Sequence, residues 1–494
     1  MGVMRFACCL FVVMLCTLGA AAPASADDVL VLGKDGKVRT RDDRALGATS
    51  MKTPPRRGHA VATTARRRTK RTVARELKRL RDAGAITPED YTARRAFYFD
   101  ARRKAKQLDG QGKPEMTAVL STLDAIAARK QLTASRIVPL WLTLDRNLQW
   151  WSTGASLRSG QRIEFEGSEL VWQYYPGQGL QLQVLGNFGK LNGLWGSKSN
   201  ARLAVMLDEL LPLAAERAGG LAWEYYFSFG GGRPPWVSGL AQGTAVQALA
   251  RSATRLHREA EVLPIAQRAL AIFRKRTPTG VRVPAANGDH YAIYSFAPSL
   301  RVLNGFIQSL VGLWDYARIS KDPRGTELFQ KAEPEARAET PLYDTGAWSL
   351  YSRGSSMHES SLSYHDLLQG FLANLCKRTG VDVYCTTADH FVAYKTVAPI
   401  LTVQSKTLRG GKYGRVPFEL SKISSVTLRI TRNGKLVESR PFGAVGYGKR
   451  TFGWQVPRKR GTYDVELLAT DLAGNSTSDA TTVRVLKPKK HGHT

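Results

Sequence analysis

Side chains able to move protons beside a carboxylate are concentrated in three tyrosine-bearing segments in the second half of the chain. Tyr294 ends the segment Tyr-Ala-Ile-Tyr, Tyr351 follows the segment Pro-Leu-Tyr-Asp-Thr-Gly, and Tyr364 precedes His365 in the segment Ser-Tyr-His-Asp. A phenol or imidazole held at the start of a helix can give or take a proton. The guanidinium of an arginine can bind a carboxylate through two parallel hydrogen bonds. These residue types therefore predict proton transfer next to a carboxylate group.

The tyrosine-bearing segments alternate with sequences that have the apolar periodicity of amphipathic helices. We expect helices at about residues 237–256, 259–275, 302–320, 324–339, 363–379 and 386–396. The first and third are rich in small and apolar residues, which predicts inner helices, whereas the second and fourth carry more charge, which predicts outer helices. This alternation predicts antiparallel helix pairs that close on themselves, an (α/α) toroid over residues 136–396. Helical bundles and solenoids share the pattern.

The chain on either side of the predicted toroid differs in composition. Residues 27–72 contain Pro54-Pro55, few large apolar residues and a basic run, which predicts disorder. After Thr396 the apolar period changes to two, and Asn433-Gly434 is typical of a type I′ hairpin, so we expect an immunoglobulin-like β-sandwich there. The predicted fold is multidomain α+β, mainly α. The predicted units are a signal peptide (1–26), a disordered basic segment (27–72), a helical module (73–135), the toroid (136–396), the sandwich (397–487) and a basic tail (488–494).

The N-terminus has the features of an export signal. Arg5 precedes an apolar run from Phe6 to Leu18, and Ala24-Ser25-Ala26 fits a cleavage site. The run is short for a membrane span, so an uncleaved anchor is the less favoured alternative. We expect a secreted or cell-envelope-associated protein. Cys376 and Cys385 remain after removal of the signal, and we expect them to form a disulfide in an oxidising compartment.

The net charge predicts an anionic partner. The chain carries +31, and twelve of its lysines and arginines lie between Lys52 and Arg81, where Glu76 is the one acidic residue. Export argues against nucleic acid, so we expect residues 52–81 to bind acidic glycans, wall polymers or phospholipid headgroups. A solvated basic segment without a specific partner is the alternative. No phosphate-binding glycine loop, dinucleotide fingerprint or metal-ligand spacing is evident, so we expect neither a cofactor nor a metal. Nothing in the sequence indicates an oligomeric state.

Several short motifs occur in a fixed order between Trp172 and Tyr394. They are Tyr174-Tyr-Pro-Gly-Gln178, Leu182-Gln-Val-Leu-Gly-Asn-Phe-Gly189, Pro235-Trp-Val-Ser-Gly-Leu-Ala-Gln-Gly243, Val302-Leu-Asn-Gly-Phe306, Leu313-Trp-Asp315, Pro341-Leu-Tyr-Asp-Thr-Gly346 and Tyr364-His365. In order and spacing this stretch resembles the C-terminal domain of D-glucuronyl C5-epimerases. The resemblance implies an (α/α) toroid and an isomerase that abstracts and returns the C5 proton of uronate residues in heparosan-type polysaccharides.

The resemblance also implies roles for individual residues. Tyr294, Tyr351 and Tyr364 correspond to catalytic tyrosines, and Arg353 is the candidate for binding the substrate carboxylate. The further candidate substrate-binding residues are His365, Glu224, Trp236, Gln242 and Asn304. Gln242 and Asn304 have an alternative role as caps of neighbouring helices, and the tyrosines have one as core residues with satisfied hydroxyls.

One position departs from the family pattern. The family has two glutamates before its catalytic tyrosine, where this chain has Ala292 and Ile293. Isoleucine cannot exchange a proton, so another group must supply the base. Glu224 from another loop is one candidate, and His290 or His365, with imidazole titrating near neutral pH, is another. The third solution is β-elimination, which also begins with removal of the C5 proton but then expels the glycosidic oxygen.

The leading interpretation is an exported glucuronyl C5-epimerase-like enzyme that acts on an acidic polysaccharide. The first alternative is a polysaccharide lyase that uses the same proton abstraction. The second is a non-catalytic glycan-binding or cell-wall protein on the same scaffold, because a fold and a partial motif do not guarantee a function.

Overall fold

The computed structural model describes residues 28–43, 45 and 72–488. The predicted signal peptide, most of the predicted basic segment and nearly all of the predicted tail lie outside the described residues. Within those ranges, no helix has the length and apolar character of a membrane span. Helices and strands are mixed along the described chain, as the predicted multidomain α+β class requires.

The N-terminal part combines a five-stranded sheet with four helices. Its elements are β1 (Asp28–Leu32), β2 (Val38–Asp42), α1 (Val73–Asp82), α2 (Pro88–Gln107), α3 (Gly112–Ala128), α4 (Ala134–Trp151), β3 (Arg162–Phe165), β4 (Trp172–Tyr175) and β5 (Gly179–Leu182). The sheet has the order β2-β1-β3-β4-β5, with β1 and β3 parallel. One core, which includes Leu77, Ile126, Leu144 and Trp172, joins the helices to the sheet. This core runs across residue 135, where the sequence predicts a boundary between two units.

The hairpin of β1 and β2 differs from the disorder predicted for residues 27–72. Strand β1 is held by parallel pairing with β3. The chain after the hairpin is held by charge, because the Asp43 Oδ2 atom lies 3.1 Å from the Lys190 Nζ atom and 2.8 Å from the Arg202 Nη2 atom. Lys190 is fully buried and contacts two further carboxylates. The run Val29-Leu30-Val31-Leu32 is a local strand signal, but it is short and the composition of residues 27–72 as a whole conceals it.

The middle of the chain is an array of helix pairs with short strands between them. Its helices are α5 (Val184–Gly196), α6 (Asn200–Leu210), α7 (Gly239–Leu256), α8 (Glu259–Ala269), α9 (Ala271–Arg274), α10 (Leu303–Ser320), α11 (Pro323–Glu339), α12 (Leu362–Thr379) and α13 (Asp382–Ala393). Its strands are β6 (Ala215–Arg217), β7 (Gly220–Ala222), β8 (Arg282–Pro284), β9 (Asp289–Tyr291), β10 (Leu300–Arg301), β11 (Leu350–Gly354) and β12 (His358–Glu359). Helices α5, α7, α10 and α12 pack side by side in that order, and each also packs against the helix α6, α8, α11 or α13 beside it.

The predicted inner helices are confirmed. Helices α7 and α10 are mostly buried and pack closely, since a Cβ atom added at Gly312 would lie 2.0 Å from the Gly243 carbonyl oxygen. Serine side chains cap helices α7 and α12 at their N-termini. Ser361 caps α12 by accepting a hydrogen bond from the Tyr364 N–H at 3.4 Å. The cap sets where α12 begins and therefore where Tyr364 lies.

The C-terminal part consists of two sheets around one core. Its strands are β13 (Leu401–Val403), β14 (Lys406–Arg409), β15 (Tyr413–Leu420), β16 (Ser424–Arg432), β17 (Lys435–Val445), β18 (Gly448–Gln455), β19 (Gly461–Asp471) and β20 (Ser476–Leu486). The sheets have the orders β13-β15-β18 and β14-β20-β19-β16-β17, and side chains of both, such as Trp454 and Tyr463, share one apolar core. Asn433 and Gly434 join β16 to β17 with φ of 49° and 74°, which confirms the predicted hairpin turn.

The connector between α13 and β13 is bonded to side chains of the C-terminal part. Lys422, which is 1% exposed, donates hydrogen bonds to the carbonyl oxygens of Tyr394 and Val397. The Asn475 Nδ2 atom donates to the Lys395 carbonyl oxygen at 2.8 Å. The backbone of the connector is therefore fixed from one side.

Candidate active site

Five tyrosine side chains from separate elements meet in what we call the tyrosine cluster: Tyr175, Tyr225, Tyr294, Tyr351 and Tyr364. Tyr175 ends β4, Tyr225 follows β7, Tyr294 follows β9, Tyr351 lies in β11 and Tyr364 lies in the first turn of α12. Tyr175, Tyr225 and Tyr294 are buried, whereas Tyr351 and Tyr364 are partly exposed. The cluster therefore reaches from the core to the surface, and it contains all three predicted catalytic tyrosines.

Hydrogen bonds order the buried end of the cluster. Gln183 bridges two hydroxyls, because its Nε2 atom donates to Tyr175 at 2.9 Å and its Oε1 atom accepts from Tyr225 at 3.3 Å. The Tyr225 oxygen also accepts from the Leu185 N–H at 3.2 Å. The hydroxyls of these two tyrosines therefore have hydrogen-bond partners within the protein, and their rings support the outer tyrosines.

A hydrogen bond between the Tyr294 and Tyr351 hydroxyls distinguishes these two phenols. Burial raises the pKa of Tyr294 well above its usual value, and the neighbouring tyrosines raise it further. Burial also raises the pKa of Tyr351, but the hydrogen bond with Tyr294 acts to lower it. Tyr294 is therefore placed to keep its proton and to stabilise a phenolate on Tyr351 by donating to it.

The rings of Tyr351 and Tyr364 touch. Their centroids lie 4.7 Å apart, with an angle of 51° between the ring planes. Tyr294, Tyr351 and Tyr364 thus form one continuous chain, linked by a hydrogen bond and a ring contact. A sugar ring therefore does not fit between the rings of Tyr351 and Tyr364.

Trp236 belongs to the aromatic packing beneath the cluster. It is 1% exposed, stacks on Tyr225 with ring centroids 4.2 Å apart and meets the edge of Tyr294 at 5.7 Å. Its indole N–H donates to the Phe227 carbonyl oxygen at 2.8 Å. Trp236 therefore positions two tyrosines and presents no face to a sugar, which differs from the substrate-binding role predicted for it.

Arg353 lies on the strand that carries Tyr351. Residues two apart on a strand share a face, so Arg353 is on the same face of β11 as Tyr351, and it is partly exposed. Its guanidinium carbon lies 5.9 Å from the ring centre of Tyr343. The structure therefore places the predicted carboxylate-binding arginine on the strand of one cluster tyrosine, with its guanidinium over Tyr343, which lies outside the cluster.

His365 is a packing residue whose two ring nitrogens are both occupied. The Nε2 atom lies 2.7 Å from the Phe391 carbonyl oxygen and the Nδ1 atom lies 2.8 Å from the Ser349 hydroxyl. A carbonyl oxygen only accepts, so Nε2 carries the hydrogen and Nδ1 accepts from the serine. Trp348 stacks on the ring at 3.8 Å, and burial lowers the pKa of His365. The geometry fits a role in holding Tyr364 and does not fit the predicted roles in proton transfer or substrate binding.

Glu224 does not join the tyrosine cluster. Its fully buried carboxylate accepts hydrogen bonds from Arg136 at 2.7 and 2.9 Å, from Arg217 at 2.7 Å and from the Tyr226 hydroxyl at 3.1 Å. Arg136 lies in α4, so this network ties the N-terminal helices to the helical array. The geometry does not support Glu224 as the missing base, because its oxygens are directed at these partners.

His290 belongs to a second polar group. Its Nδ1 atom lies 3.0 Å from the Glu339 Oε1 atom, and Arg301 contacts the same oxygen at 3.2 Å. The imidazole is fully buried against Phe306, and burial lowers its pKa while Glu339 acts to raise it. In the described chain its Nε2 atom has no hydrogen-bond partner. None of these contacts joins it to a cluster tyrosine.

The remaining predicted residues are internal. The Gln242 Nε2 atom donates to the Trp223 carbonyl oxygen at 2.8 Å. Because Trp223 follows β7 and ends no helix, this bond is not the helix cap that was the alternative role. Asn304 is 3% exposed at the start of α10. Ile293 packs against α10, since a Cβ atom added at Gly305 would lie 3.1 Å from its Cγ1 atom. The position at which the family has a glutamate is therefore part of the core in this chain.

The C-terminal part contacts the site through Glu359, in the strand next to β11. The Glu359 Oε1 atom accepts from the Ile423 N–H at 2.7 Å, and its Oε2 atom accepts from the Tyr447 N–H at 2.8 Å. Burial raises the pKa of Glu359, and these two bonds act against the rise. We call this contact the Glu359 clamp. It fixes the strand pair that carries Tyr351 to the C-terminal sheets.

Other features lie outside the cluster. The predicted disulfide between Cys376 and Cys385 is confirmed and joins α12 to α13. Among the residues that the structure describes, no group of three or more His, Cys, Asp or Glu side chains could hold a metal ion. A cavity of about 590 Å³ is lined mainly by apolar side chains such as Trp141 and Leu213 and shares no lining residue with the cluster. Four charged side chains, Arg94, Asp145, Arg146 and Glu209, also line this cavity.

Sequence reasoning did not predict Tyr175 and Tyr225. Each has an adjacent tyrosine, and the neighbours face elsewhere: the Tyr174 hydroxyl donates to Glu115 at 2.7 Å, while Tyr226 donates to Glu224. Successive residues of an extended chain point to opposite sides. The motif Tyr-Tyr-Pro-Gly-Gln marks this region but does not indicate which of the two tyrosines joins the cluster.

Comparisons with known proteins agree with the predicted resemblance. Residues 219–393 match the family described as "D-glucuronyl C5-epimerase C-terminus". The D-glucuronyl C5-epimerase of Caenorhabditis elegans is 27% identical over 179 residues, which cover 33% of this chain and 29% of that protein. Among solved structures, the endo-β-1,4-glucanase CMCax from Acetobacter xylinum has a TM-score of 0.30 and 11% identity over 40% of this chain and 68% of that chain, a likeness too weak to carry an argument. The resemblance to the epimerase C-terminal domain is thus confirmed for residues 219–393.

Proposed function

We propose that this protein is a glucuronyl C5-epimerase-like enzyme, an isomerase that acts on uronate residues of an acidic polysaccharide. The tyrosine cluster carries the proposal. Tyr294, Tyr351 and Tyr364 form a chain from core to surface within the region that matches the family. Arg353 shares a strand face with Tyr351, so a proton acceptor and a carboxylate-binding cation are adjacent.

Removal of the C5 proton is the difficult step of this reaction. That hydrogen is weakly acidic, so the charge of the neighbouring carboxylate must be neutralised and the enolate stabilised. Arg353 supplies a guanidinium for the carboxylate. Tyr351 takes the proton as a phenolate, and the Tyr294 hydroxyl stabilises that phenolate by donating to it. Because burial raises the pKa of Tyr351, the phenolate is the minor form at neutral pH, and a pH–rate profile should rise towards alkaline pH.

The contact between Tyr351 and Tyr364 favours β-elimination as a second candidate. Epimerisation returns the proton to the opposite face of the sugar, so it needs an acid on each face. The contact between the two rings favours an arrangement with both tyrosines on one side of the sugar, and Ile293 offers no group for the other side. β-Elimination needs catalytic groups on only one face of the sugar when the C5 hydrogen and the leaving oxygen at C4 lie on that same face. Tyr351 then removes the C5 proton, the electron pair forms the C4–C5 double bond, and the C4–O bond breaks as Tyr364 protonates the departing oxygen.

Hydrogen–deuterium exchange at uronate C5 tests both candidates. The protein is incubated with heparosan and other uronate polymers in deuterated water, and the chains are examined by proton NMR. Exchange in chains of unchanged length supports the epimerase. An unsaturated uronate that absorbs in the ultraviolet, together with shortened chains, supports the lyase. Retention of a polymer with neither change contradicts both and indicates a binding protein.

Single hydroxyl deletions test the assignment of residues. Tyr351→Phe and Tyr364→Phe keep the rings and remove the proton-transfer groups, so each should lower the exchange rate by about a hundredfold or more. Thermal stability should change little, because both side chains are partly exposed. Tyr413→Phe is the matched control, since Tyr413 is 66% exposed in β15. Wild-type exchange by the Tyr351→Phe variant would remove Tyr351 from the mechanism.

We also infer that the helical array closes as an (α/α) toroid and that the C-terminal sheets form an immunoglobulin-like β-sandwich. The side-by-side order of α5, α7, α10 and α12 supports the first inference, and the core shared by the two sheets supports the second. An experimental structure of the protein tests both. We further propose that the protein is exported, which the Cys376–Cys385 disulfide supports. N-terminal sequencing of protein recovered outside the cytoplasm tests cleavage after Ala26.

A further inference from the structure

A pair of arginines lies beside the tyrosine cluster. Arg301 in β10 and Arg353 in β11 are register partners in an antiparallel ladder. Side chains directly opposite each other in such a ladder project on the same face, with Cβ atoms roughly 4.5–5.5 Å apart. Like charges at this spacing destabilise the sheet. The ladder therefore places both arginine side chains on one face, and both act electrostatically on the Tyr343 hydroxyl.

The protein supplies a counter-ion to one of the two arginines. The Arg301 Nη1 atom lies 3.2 Å from the Glu339 Oε1 atom, an oxygen that the His290 Nδ1 atom also contacts. Arg353, in contrast, makes no ion pair with a carboxylate among the residues that the structure describes, and its guanidinium lies over the Tyr343 ring. Within the described ranges, one positive charge of the pair is therefore not matched by a carboxylate.

The groups beneath the pair do not neutralise Arg353. A second carboxylate, Glu335, lies near Glu339 and accepts a hydrogen bond from the Asn287 N–H at 2.9 Å. The Tyr343 hydroxyl is buried and has no hydrogen-bond partner in this part of the described chain. Burial holds this phenol in its neutral form by raising its pKa. No group that the structure describes beneath the pair therefore supplies the missing negative charge, and a bound anion can supply it.

Both arginines of the pair reach solvent. The side chain of Arg301 is 23% exposed, and Arg353 is partly exposed. Arg353 is two residues from Tyr351 on the same strand face, a separation of roughly 6.8 Å along the strand. A polymer lying across Tyr351 therefore passes within reach of both guanidiniums.

From this geometry we propose that Arg301 and Arg353 form an anion-binding subsite that grips one carboxylate or sulfate group of the polymer beside the tyrosine cluster. The inference rests on the proposed function and adds that the substrate carries an anionic group at this place. Two adjacent guanidiniums present several N–H donors in a planar arrangement, which suits a group with two or three equivalent oxygens. A bound oxyanion also removes the repulsion within the pair.

Binding measurements on arginine variants test the subsite. Dissociation constants are measured for heparosan oligosaccharides with the wild-type protein, Arg301→Gln, Arg353→Gln and the double variant. Each single substitution should weaken binding about tenfold, as expected for loss of a charge-assisted hydrogen bond. The double variant should lose less than the product of the single losses, because both side chains hold the same group. Arg415→Gln, an exposed arginine in β15, is the matched control and should bind as wild type does.

Stability without polymer separates a binding role from a structural one. Arg353→Gln relieves repulsion, so its melting temperature should equal or exceed that of the wild type, whereas substitution of an arginine needed for folding lowers it. Two further polymers identify the anion. Carboxyl-reduced heparosan should lose the contribution of the pair if the group is a carboxylate, and a sulfated, carboxyl-reduced polymer should keep it if the group is a sulfate.

The outcomes distinguish the subsite from the proposed reaction. If both single variants bind heparosan and the sulfated polymer as tightly as wild type does, the subsite is rejected, whether or not C5 exchange occurs. If the variants lose affinity but the wild type exchanges no deuterium and forms no unsaturated product, the subsite stands and the proposed reaction fails. A wild-type protein that binds no acidic polymer overturns both.

Discussion

Removal of the Glu359 clamp should release the strand that carries Tyr351. The Glu359 carboxylate accepts two backbone hydrogen bonds, of 2.7 and 2.8 Å, from separate turns of the C-terminal part. A hydrogen bond to a charged group contributes about 1.5–3 kcal/mol. Glu359→Ala loses both bonds and leaves two N–H groups unpaired, so we expect a loss of about 3–5 kcal/mol in the free energy that holds the strand pair to the C-terminal sheets. Glu359→Gln keeps one acceptor and should lose less than Glu359→Ala.

The pH dependence of the clamp has a definite sign. Burial raises the pKa of Glu359 in the folded protein above its ordinary value of 4.5. Between 4.5 and the raised value the folded state therefore binds more protons than the unfolded state, and stability falls as pH rises through this window. The glutamine side chain of Glu359→Gln cannot titrate, so this variant should lack the corresponding part of the dependence of stability on pH.

Thermal unfolding and C5 exchange measure the effect together. In the wild type we expect the helical array and the C-terminal sheets to unfold in coupled transitions; Glu359→Ala should separate them and lower the exchange rate. Glu466→Gln is the matched control, because Glu466 is a 44% exposed side chain on β19 whose ion pair with Arg429 spans 3.8 Å, and such pairs contribute little. Unchanged unfolding and exchange in Glu359→Ala would refute the reasoning.

Three further variants test the framework of the site. Cys376→Ser should lower stability by about 2–3 kcal/mol under oxidising conditions, since the disulfide closes a loop with a sequence separation of 9, and a reducing agent should abolish the difference in melting temperature. Burial lowers the pKa of His365 from its ordinary 6.5, so the wild-type protein loses stability as pH falls below that value. His365→Asn should therefore show a weaker loss of stability with falling pH. Urea titrations at several pH values measure this, and a pH dependence equal to that of the wild type would contradict the expectation. Glu224→Gln should destabilise by about 3–5 kcal/mol because it leaves Arg136 and Arg217 without their buried partner, and a stable variant that lacks only C5 exchange would return Glu224 to the list of catalytic candidates.

Local pattern predicts much of the helical array. The bounds of α7 and α10 agree with the predicted helices 237–256 and 302–320 within two residues, because small and apolar residues over several turns report burial directly. The hairpin turn at Asn433-Gly434 is equally predictable from the sequence, since it depends on two adjacent residues. These features need no information about distant parts of the chain.

The candidate site was only partly predictable for the opposite reason. Which tyrosine of an adjacent pair joins the cluster depends on strand pairing, and the partners of Glu224 are far from it along the chain or on another turn. The resemblance indicated Tyr294, Tyr351 and Tyr364, but neither it nor the spacing indicated that Arg301 would face Arg353. Contacts between separate elements are determined by packing, which a single sequence does not reveal.

The hydrogen-bonded connector between α13 and β13 limits the domain exchanges that this protein can undergo by recombination. Lys422 and Asn475 hold the carbonyl oxygens of Tyr394, Val397 and Lys395, so the join between helices and sheets depends on side chains that belong to the sheets. A foreign β-domain grafted after residue 400 would lack both donors and would leave these carbonyl groups without their partners. The C-terminal part is therefore an integral component with its own docking residues, and recombination that preserves the helical array must carry it along.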